Sequence, residues 1–212
     1  MKLPVGIQEF EKLRNDGYVY LDKTPLIWKM VDEGCYYFLS RPRRFGKSLL
    51  MSTIKAFFEG KKHLFDGTVG NPLFIATSEE VKWDWEPHPI MHLDLNSHKY
   101  QTPDAVDQML DEFLSTQEAK YGLHSDGDAY GLRFQAVIRA AYTLTGKRVV
   151  ILIDEYDKPL LGHLGTPEVT KFKNALKEFY SVIKTQEGYQ RFAFMTGVSK
   201  FSKVSIFSDL NN

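Results

Sequence analysis

Three consecutive residues, Gly46, Lys47 and Ser48, match the end of a common phosphate-binding motif: a glycine, four further residues, and then Gly-Lys-Ser/Thr. In that motif, backbone N–H groups curl around phosphate oxygens at the start of a helix, where the helix dipole favours anions. Gly46 permits close approach of the backbone, Lys47 can reach the β- and γ-phosphates, and Ser48 can ligate Mg²⁺. The triplet therefore predicts a site for nucleotide phosphates.

The segment before this triplet departs from the motif, because Arg41 stands where the first glycine is expected. Taken alone, these residues are also compatible with a basic surface turn before a helix. Arg43 and Arg44 are then either solvated loop charges or groups that help to neutralise phosphate. We include Arg43, Arg44, Phe45 and Leu49, which flank the triplet, among the candidate nucleotide contacts.

A second candidate site follows the aliphatic run at residues 149–153, where Asp154 and Glu155 come next. Two carboxylates at the end of a buried strand need a partner, because an unpaired buried charge is costly. Open α/β sheets also bind their ligands at the carboxyl ends of the strands. We expect Asp154 to hold Mg²⁺, through water or with Ser48, and Glu155 to activate water as a general base. An acid that caps the next turn would explain only one carboxylate.

Periodicity predicts the elements that position these groups. Short apolar runs predict strands at residues 36–40, 90–95, 149–153 and 191–196. Apolar residues at helical spacing predict a helix at 48–59, one after the cap Thr102, one that ends at Gly146, and one that starts near Thr166. The strand at 90–95 lies between the two motifs in the sequence, as is typical of hydrolysing P-loop ATPases.

The alternation of strands and helices predicts an α/β fold, a three-layer P-loop NTPase sandwich with a mainly parallel sheet. We expect one domain over residues 1–212, in which 35–212 form the nucleotide-binding core. Residues 1–34 form an N-terminal extension, with helices at 7–15 and from Thr24 and an edge strand at 18–21. Because the sequence stops without a closing element, we expect the core to be truncated at its C-terminus.

Composition narrows the class of protein. Lys plus Arg number 27 and Asp plus Glu number 27, so no global basic field favours nucleic acid. The single cysteine, Cys35, cannot form an internal disulfide, and the N-terminus lacks the apolar core of a signal peptide. We expect a cytoplasmic protein without a membrane partner, which would bind nucleic acid only as part of a longer protein.

Several stretches resemble the bacterial AAA-ATPase-like family, P-loop ATPases related to archaeal-type and STAND-like ATPases. They keep their order over nearly the whole chain and lie at residues 20–24, 41–48, 153–159 and 195–202. The phosphate loop of this family reads Arg-Pro-Arg-Arg-Phe in place of the glycine-led form, which accounts for Arg41. The resemblance implies an ATPase whose longer members often carry a C-terminal region similar to restriction-type nucleases.

The resemblance also implies roles for two further segments. Thr196 and Ser199 would lie where a sensor residue detects the γ-phosphate, although an ordinary strand-ending turn also explains Thr196. Asp22, Lys23 and Thr24 would lie near the adenine. Their simpler interpretation is a helix start, with Thr24 as the N-cap and Asp22 stabilising the helix dipole.

Together these features predict Mg²⁺-dependent binding and hydrolysis of ATP, with Lys47 and Glu155 as catalytic residues. An arginine finger from a C-terminal region or from a second subunit would complete such a site, so we expect low turnover by this chain alone. The alternative is a nucleotide-operated switch or interaction module that binds ATP or ADP with little hydrolysis. A kinase acting on a small acceptor is disfavoured by the Asp-Glu pair.

Overall fold

The sheet consists of four short apolar segments that pair in parallel. The computed structural model describes residues 2–125, 127 and 129–198. Its strands are β1 (Tyr36–Ser40), β2 (Ile90–Asp94), β3 (Val149–Asp154) and β4 (Gln190–Gly197). Their order across the sheet is β1-β4-β3-β2. β4, the last described strand along the chain, therefore lies between β1 and β3.

Helices fill the connections between these strands, as parallel pairing requires. The α-helices of the described residues are α1 (Phe10–Asn15), α2 (Thr24–Glu33), α3 (Lys47–Phe58), α4 (Phe74–Thr77), α5 (Ala105–Lys120), α6 (Tyr130–Thr145), α7 (Lys158–Leu161) and α8 (Glu168–Thr185). Short 3-10 turns occur at Lys62–Leu64 and Glu187–Tyr189. None of the helices in the described ranges combines the length and apolar character needed to cross a membrane.

Side chains of β3 alternate between two hydrophobic cores, one on each face of the sheet. Ile151 and Ile153 pack with apolar residues of α5, α6 and α8. Val150 and Leu152 pack on the opposite face with residues of α1, α2 and α3. Every residue of β3 is buried, as expected of a strand covered by helices on both faces. The architecture is the predicted three-layer α/β sandwich.

Local sequence signals explain where several elements begin and end. In α8 the buried residues recur at helical spacing, which places one apolar face against the sheet: Phe172, Leu176, Phe179, Tyr180 and Ile183. Gly146 ends α6 in the left-handed conformation, with φ of 67°. The predicted strands and these helices agree with the structure to within a few residues at their ends.

Three local predictions were wrong. Residues 18–21 form no strand, because the only pairing of this segment within the described ranges is a single bridge between Lys2 and Tyr18. Thr102 does not cap α5, which begins three residues later; its carbonyl instead closes a turn with Ala105. Thr24 is the first helical residue of α2 rather than its N-cap.

The N-terminal extension packs into the same core as the helix after the phosphate motif. Phe10 of α1, and Ile27 and Val31 of α2, are buried together with Ile54 and Phe57 of α3. Arg14 strengthens this contact, because its guanidinium donates to the carbonyls of Leu64 (2.8 Å) and Asn71 (2.6 Å). The extension is thereby fixed against the helix that starts at Lys47.

Candidate functional site

Residues 41–46 form an exposed loop that joins β1 to the start of α3. The Arg41 N–H donates to the Gly197 carbonyl (3.1 Å), which extends the β1–β4 pairing by one residue. Arg44 and Gly46 have positive φ angles of 68° and 74°. A Cβ added at Gly46 would meet no atom of the described residues within 4 Å, so the backbone conformation rather than crowding explains the glycine.

Lys47 folds back across this loop and is almost completely buried. Its Nζ lies 2.9 Å from Glu155 Oε1, and the two side chains are 3% and 7% exposed. The same ammonium donates to the carbonyls of Arg41 (3.0 Å) and Pro42 (3.2 Å). Its three N–H groups therefore each have an acceptor, one of them an anionic carboxylate.

Thr196 contacts the Asp154 carboxylate and the Glu155 backbone at the end of β3. Its hydroxyl donates a short hydrogen bond to Asp154 Oδ1 and accepts one from the Glu155 N–H (3.1 Å). The Thr196 carbonyl accepts from the Tyr156 N–H (2.8 Å). Glu155 has a φ of 54°, which is uncommon for a residue with a side chain. These bonds from β4 hold the turn that directs Glu155 toward Lys47.

Three further acceptor atoms of this cluster have no hydrogen-bond partner among the residues that the structure describes. Glu155 Oε2 is buried without a hydrogen bond to any described residue. Asp154 Oδ2 and the Ser48 hydroxyl likewise have no hydrogen-bond partner within the described ranges. Carboxylate and hydroxyl oxygens are suitable ligands for Mg²⁺. By the type of their free oxygens, Ser48 and Asp154 are the residues of this cluster that could hold a magnesium ion.

Asp22 and Thr24 take part in contacts within the N-terminal half of the chain. Asp22 Oδ1 accepts from the N–H (2.8 Å) and hydroxyl (2.7 Å) of Thr24, and its Oδ2 accepts from the Phe74 N–H (2.8 Å). Thr24 Oγ1 accepts from the Ile75 N–H (3.1 Å). The two side chains thus attach the start of α2 to the start of α4.

Lys23, between these two residues, lines a groove of about 350 Å³ beside β1. The groove is mainly apolar, and its walls come from α2, β1, α3 and β4, including Leu26, Met30, Leu39 and Leu50. Leu50 lies one helical turn after Lys47. The groove therefore adjoins the helix that begins at the phosphate motif.

The structure brings together four of the residues proposed from the sequence: Lys47, Asp154, Glu155 and Thr196. Arg43, Arg44 and Phe45 lie in the exposed loop, where Phe45 is 65% exposed, and Ser48 and Leu49 lie half-buried in the first turn of α3. Ser199 lies outside the described residues.

Sequence reasoning missed two features of this cluster. The Lys47–Glu155 ion pair joins residues from distant parts of the chain, and only the position of β4 between β1 and β3 brings them into contact. Asp157 is fully buried, and both of its carboxylate oxygens accept from the Val198 N–H (3.2 and 3.1 Å). Its place in the same acidic segment as Asp154 is the signal that could have identified it.

Comparison with known proteins adds one family and one relative. A family model described as Predicted AAA-ATPase matches residues 4–207. A protein of Azotobacter chroococcum mcd 1, described as an uncharacterized protein in the vnfD 5′ region, is 41% identical over 214 aligned residues. The alignment covers all of this chain and 40% of that relative. No solved structure matches. With its family match over almost the whole chain, this protein belongs to the AAA-ATPase-like family.

Proposed function

We propose that the chain binds Mg-ATP at the carboxyl ends of β1, β4 and β3 and hydrolyses it. The observation that carries this proposal is the convergence of Lys47 with Asp154 and Glu155 across the central strand β4. A lysine at a phosphate motif and two adjacent carboxylates are the groups that phosphoryl transfer to water requires. Family membership supports nucleotide binding.

The phosphates of the nucleotide would lie along the loop at residues 41–46. The left-handed conformations of Arg44 and Gly46 turn the loop into the start of α3, whose first N–H groups favour an anion. Lys47 would leave its present acceptors and contact the β- and γ-phosphates. Arg43 and Arg44 are exposed beside this path and would add positive charge, while Phe45 and Leu49 would flank it.

Ser48 and Asp154 would hold Mg²⁺, which supplies charge neutralisation of the phosphates when it is bound. Glu155 would then act as the general base, since its Oε2 atom is buried and has no hydrogen-bond partner in the described part of the chain. Thr196 would serve as a positioning residue, since its hydroxyl donates to the Asp154 carboxylate and accepts from the backbone N–H of Glu155. In-line attack by water would form a bond from its oxygen to the γ-phosphorus and break the bond to the β–γ bridging oxygen, so that ADP leaves. The proton lost by the attacking water would pass to Glu155.

The base of the nucleotide would occupy the groove beside α2. The apolar walls of the groove suit a flat aromatic ring. One of the lining residues, Leu50, belongs to α3, the helix that also carries the proposed phosphate ligand Lys47. Lys23 would contact the base edge or the ribose from the rim. The N-terminal extension, residues 1–34, would in this way contribute to nucleotide binding, with Asp22 and Thr24 fixing its position.

One observation favours the second candidate, a nucleotide-dependent switch with little hydrolysis. Glu155 Oε1 lies 2.9 Å from Lys47 Nζ, so this oxygen is engaged by the ammonium. A chain that keeps this pair with ADP or ATP bound would bind nucleotide but turn over slowly. An arginine finger from another subunit, or from a longer form of the protein, would then be required for activity.

Calorimetric titration with Mg-ATP, combined with phosphate release under single-turnover conditions, tests the proposal. Wild-type protein should bind saturably, and Lys47→Ala should weaken binding at least about tenfold, a loss of about 1.4 kcal/mol. Lys62→Ala, at an exposed lysine without an ion pair in the described part of the chain, is the matched control. Equal affinities of wild type and Lys47→Ala would refute the assigned site, whereas tight binding without phosphate release would favour the switch.

A further inference from the structure

A second cavity, of about 500 Å³, lies at the same edge of the sheet but on the side of β2. Its walls come from the phosphate loop, from the segment after β2 and from α7 with the turn that follows it. Parallel α/β sheets bind ligands at this edge, beyond the carboxyl ends of the strands. A volume of this size is within the range of about 300–1,000 Å³ usual for small-molecule sites.

Three cationic side chains line this cavity: Arg43, Lys99 and Lys158. None of them forms an ion pair with another described residue, and no carboxylate is among the lining side chains. Elsewhere on the surface, Lys171 lies between Asp104 (2.5 Å) and Asp107 (2.9 Å). Lys171 is thus paired with carboxylates, whereas Lys99 and Lys158 have no ion pair among the described residues. The chain has as many acidic as basic residues, so a general shortage of carboxylates does not explain this difference.

Parts of the cavity wall next to these cations are fixed by hydrogen bonds. The Tyr100 hydroxyl donates to the Leu95 carbonyl (2.9 Å), and the ring of His163 is hydrogen-bonded to the Tyr100 carbonyl. His98 is held between Ser97 (2.8 Å) and Glu112 (3.0 Å). Because Tyr100 is buried, the cavity has a preformed wall that binding need not order.

We propose that this cavity binds a small phosphate-bearing molecule other than the nucleotide held by Lys47. A guanidinium and two ammonium groups that line one cavity without a carboxylate favour a multiply charged anion, and both side chains are common phosphate ligands. Leu161 and the aromatic wall provide contact area for an organic portion. Arg43 belongs to both the cavity and the phosphate loop, so this ligand would lie next to the nucleotide.

Inorganic pyrophosphate is the probe, titrated by calorimetry into Lys47→Ala protein without magnesium and into wild-type protein saturated with Mg-ADP. Both backgrounds suppress binding at the phosphate loop, and the second does not depend on the folding of a variant. In each background, the double variant Lys99→Ala/Lys158→Ala should weaken pyrophosphate binding at least about tenfold, because hydrogen bonds from charged groups are lost. The control is the double variant Lys62→Ala/Lys82→Ala, which removes the same charge from exposed positions outside the cavity. It should change the affinity for pyrophosphate less than about twofold.

Three results would overturn the proposal. Absence of pyrophosphate binding in both backgrounds would mean that the phosphate loop is the site of all anion binding. Equal weakening by the two double variants would indicate a nonspecific charge effect. Citrate binding as tightly as pyrophosphate would exclude selectivity for phosphate. Mg-ATP titration of the same variants reports on the nucleotide site separately, so that failure of one site is distinguishable from failure of the other.

Discussion

Lys47 and Glu155 form a buried ion pair, with 2.9 Å between Nζ and Oε1. The cation proposed to bind phosphate and the carboxylate proposed to activate water therefore neutralise each other. A phosphate must compete with this carboxylate for the ammonium. The same exchange would release Glu155 for its own role, so the pair links binding to activation of the base.

Glu155→Gln should therefore bind nucleotide more tightly than the wild type and lose turnover. The amide keeps the shape of the side chain but lacks the charge, so Lys47 becomes more available to phosphate. We expect an affinity gain of about tenfold, or about 1.4 kcal/mol, by calorimetry. Mg-ADP is the ligand to use, because it has no γ-phosphate to lose and blocked turnover cannot explain the gain. Glu59→Gln, at a half-exposed carboxylate paired with Lys61, is the control and should leave affinity unchanged.

Leu26→Gln should weaken ATP binding about fivefold, because it replaces part of the apolar wall of the base groove at a loss of about 1 kcal/mol. Binding of tripolyphosphate, which has no base, should not change. Leu132 has nearly the same exposure as Leu26, 59% against 61%, and lies on α6. Leu132→Gln is therefore the matched control. A parallel loss of ATP and tripolyphosphate affinity in Leu26→Gln would contradict the placement of the base.

Glu118→Ala should destabilise the chain by about 3–5 kcal/mol, since it removes the partner of a buried arginine. The Arg133 guanidinium on α6 donates to both oxygens of Glu118 on α5 (2.9 and 2.8 Å), and both residues are buried. Its third contact, Asp111, is largely exposed. Asp111→Ala should cost less than about 1 kcal/mol, and urea unfolding of the two variants measures the difference. Similar losses in both would show that burial does not decide the effect.

Stability should decrease as the pH falls from about 7 toward 5. Burial lowers the pKa of His92, helped by the nearby Lys55 ammonium, and burial also lowers the pKa of His88. The unfolded chain then binds more protons than the folded chain below about pH 6.5, so acid favours unfolding. Urea unfolding at several pH values should show a smaller pH dependence in His92→Gln than in the wild type. His124→Gln, at an exposed histidine, should retain the full dependence.

Much of the fold could be predicted because its signals are local. The continuous aliphatic run at residues 149–153 is typical of a strand that is buried on both faces. Gly146 readily adopts the left-handed conformation that ends α6. Residues 18–21 resemble a strand in composition, yet a strand also needs a neighbour. The only pairing of Tyr18 within the described ranges is a bridge to Lys2, which the pattern of side chains does not reveal.

The candidate site was predictable residue by residue but not in its arrangement. The types of Lys47, Asp154 and Glu155 indicate phosphate chemistry, whereas their contacts depend on the order of strands across the sheet. The strand β2 lies between the two motifs in the sequence, but in space it is β4 that separates them. Lys99 and Lys158 gave no signal at all, because an unpaired surface lysine is recognised only from its surroundings.

The central position of β4 has a consequence for how the protein is made. β1 and β3 pair with β4 and not with each other, and β4 is the last of the described strands to leave the ribosome. Until residues 190–197 are available, no strand holds β1 and the adjoining Lys47 beside β3 and its carboxylates. Parallel pairing between distant parts of the chain is also slow to form. A nascent chain that has not yet presented β4 would therefore be unable to capture nucleotide, and assembly of the site would be a late event in folding.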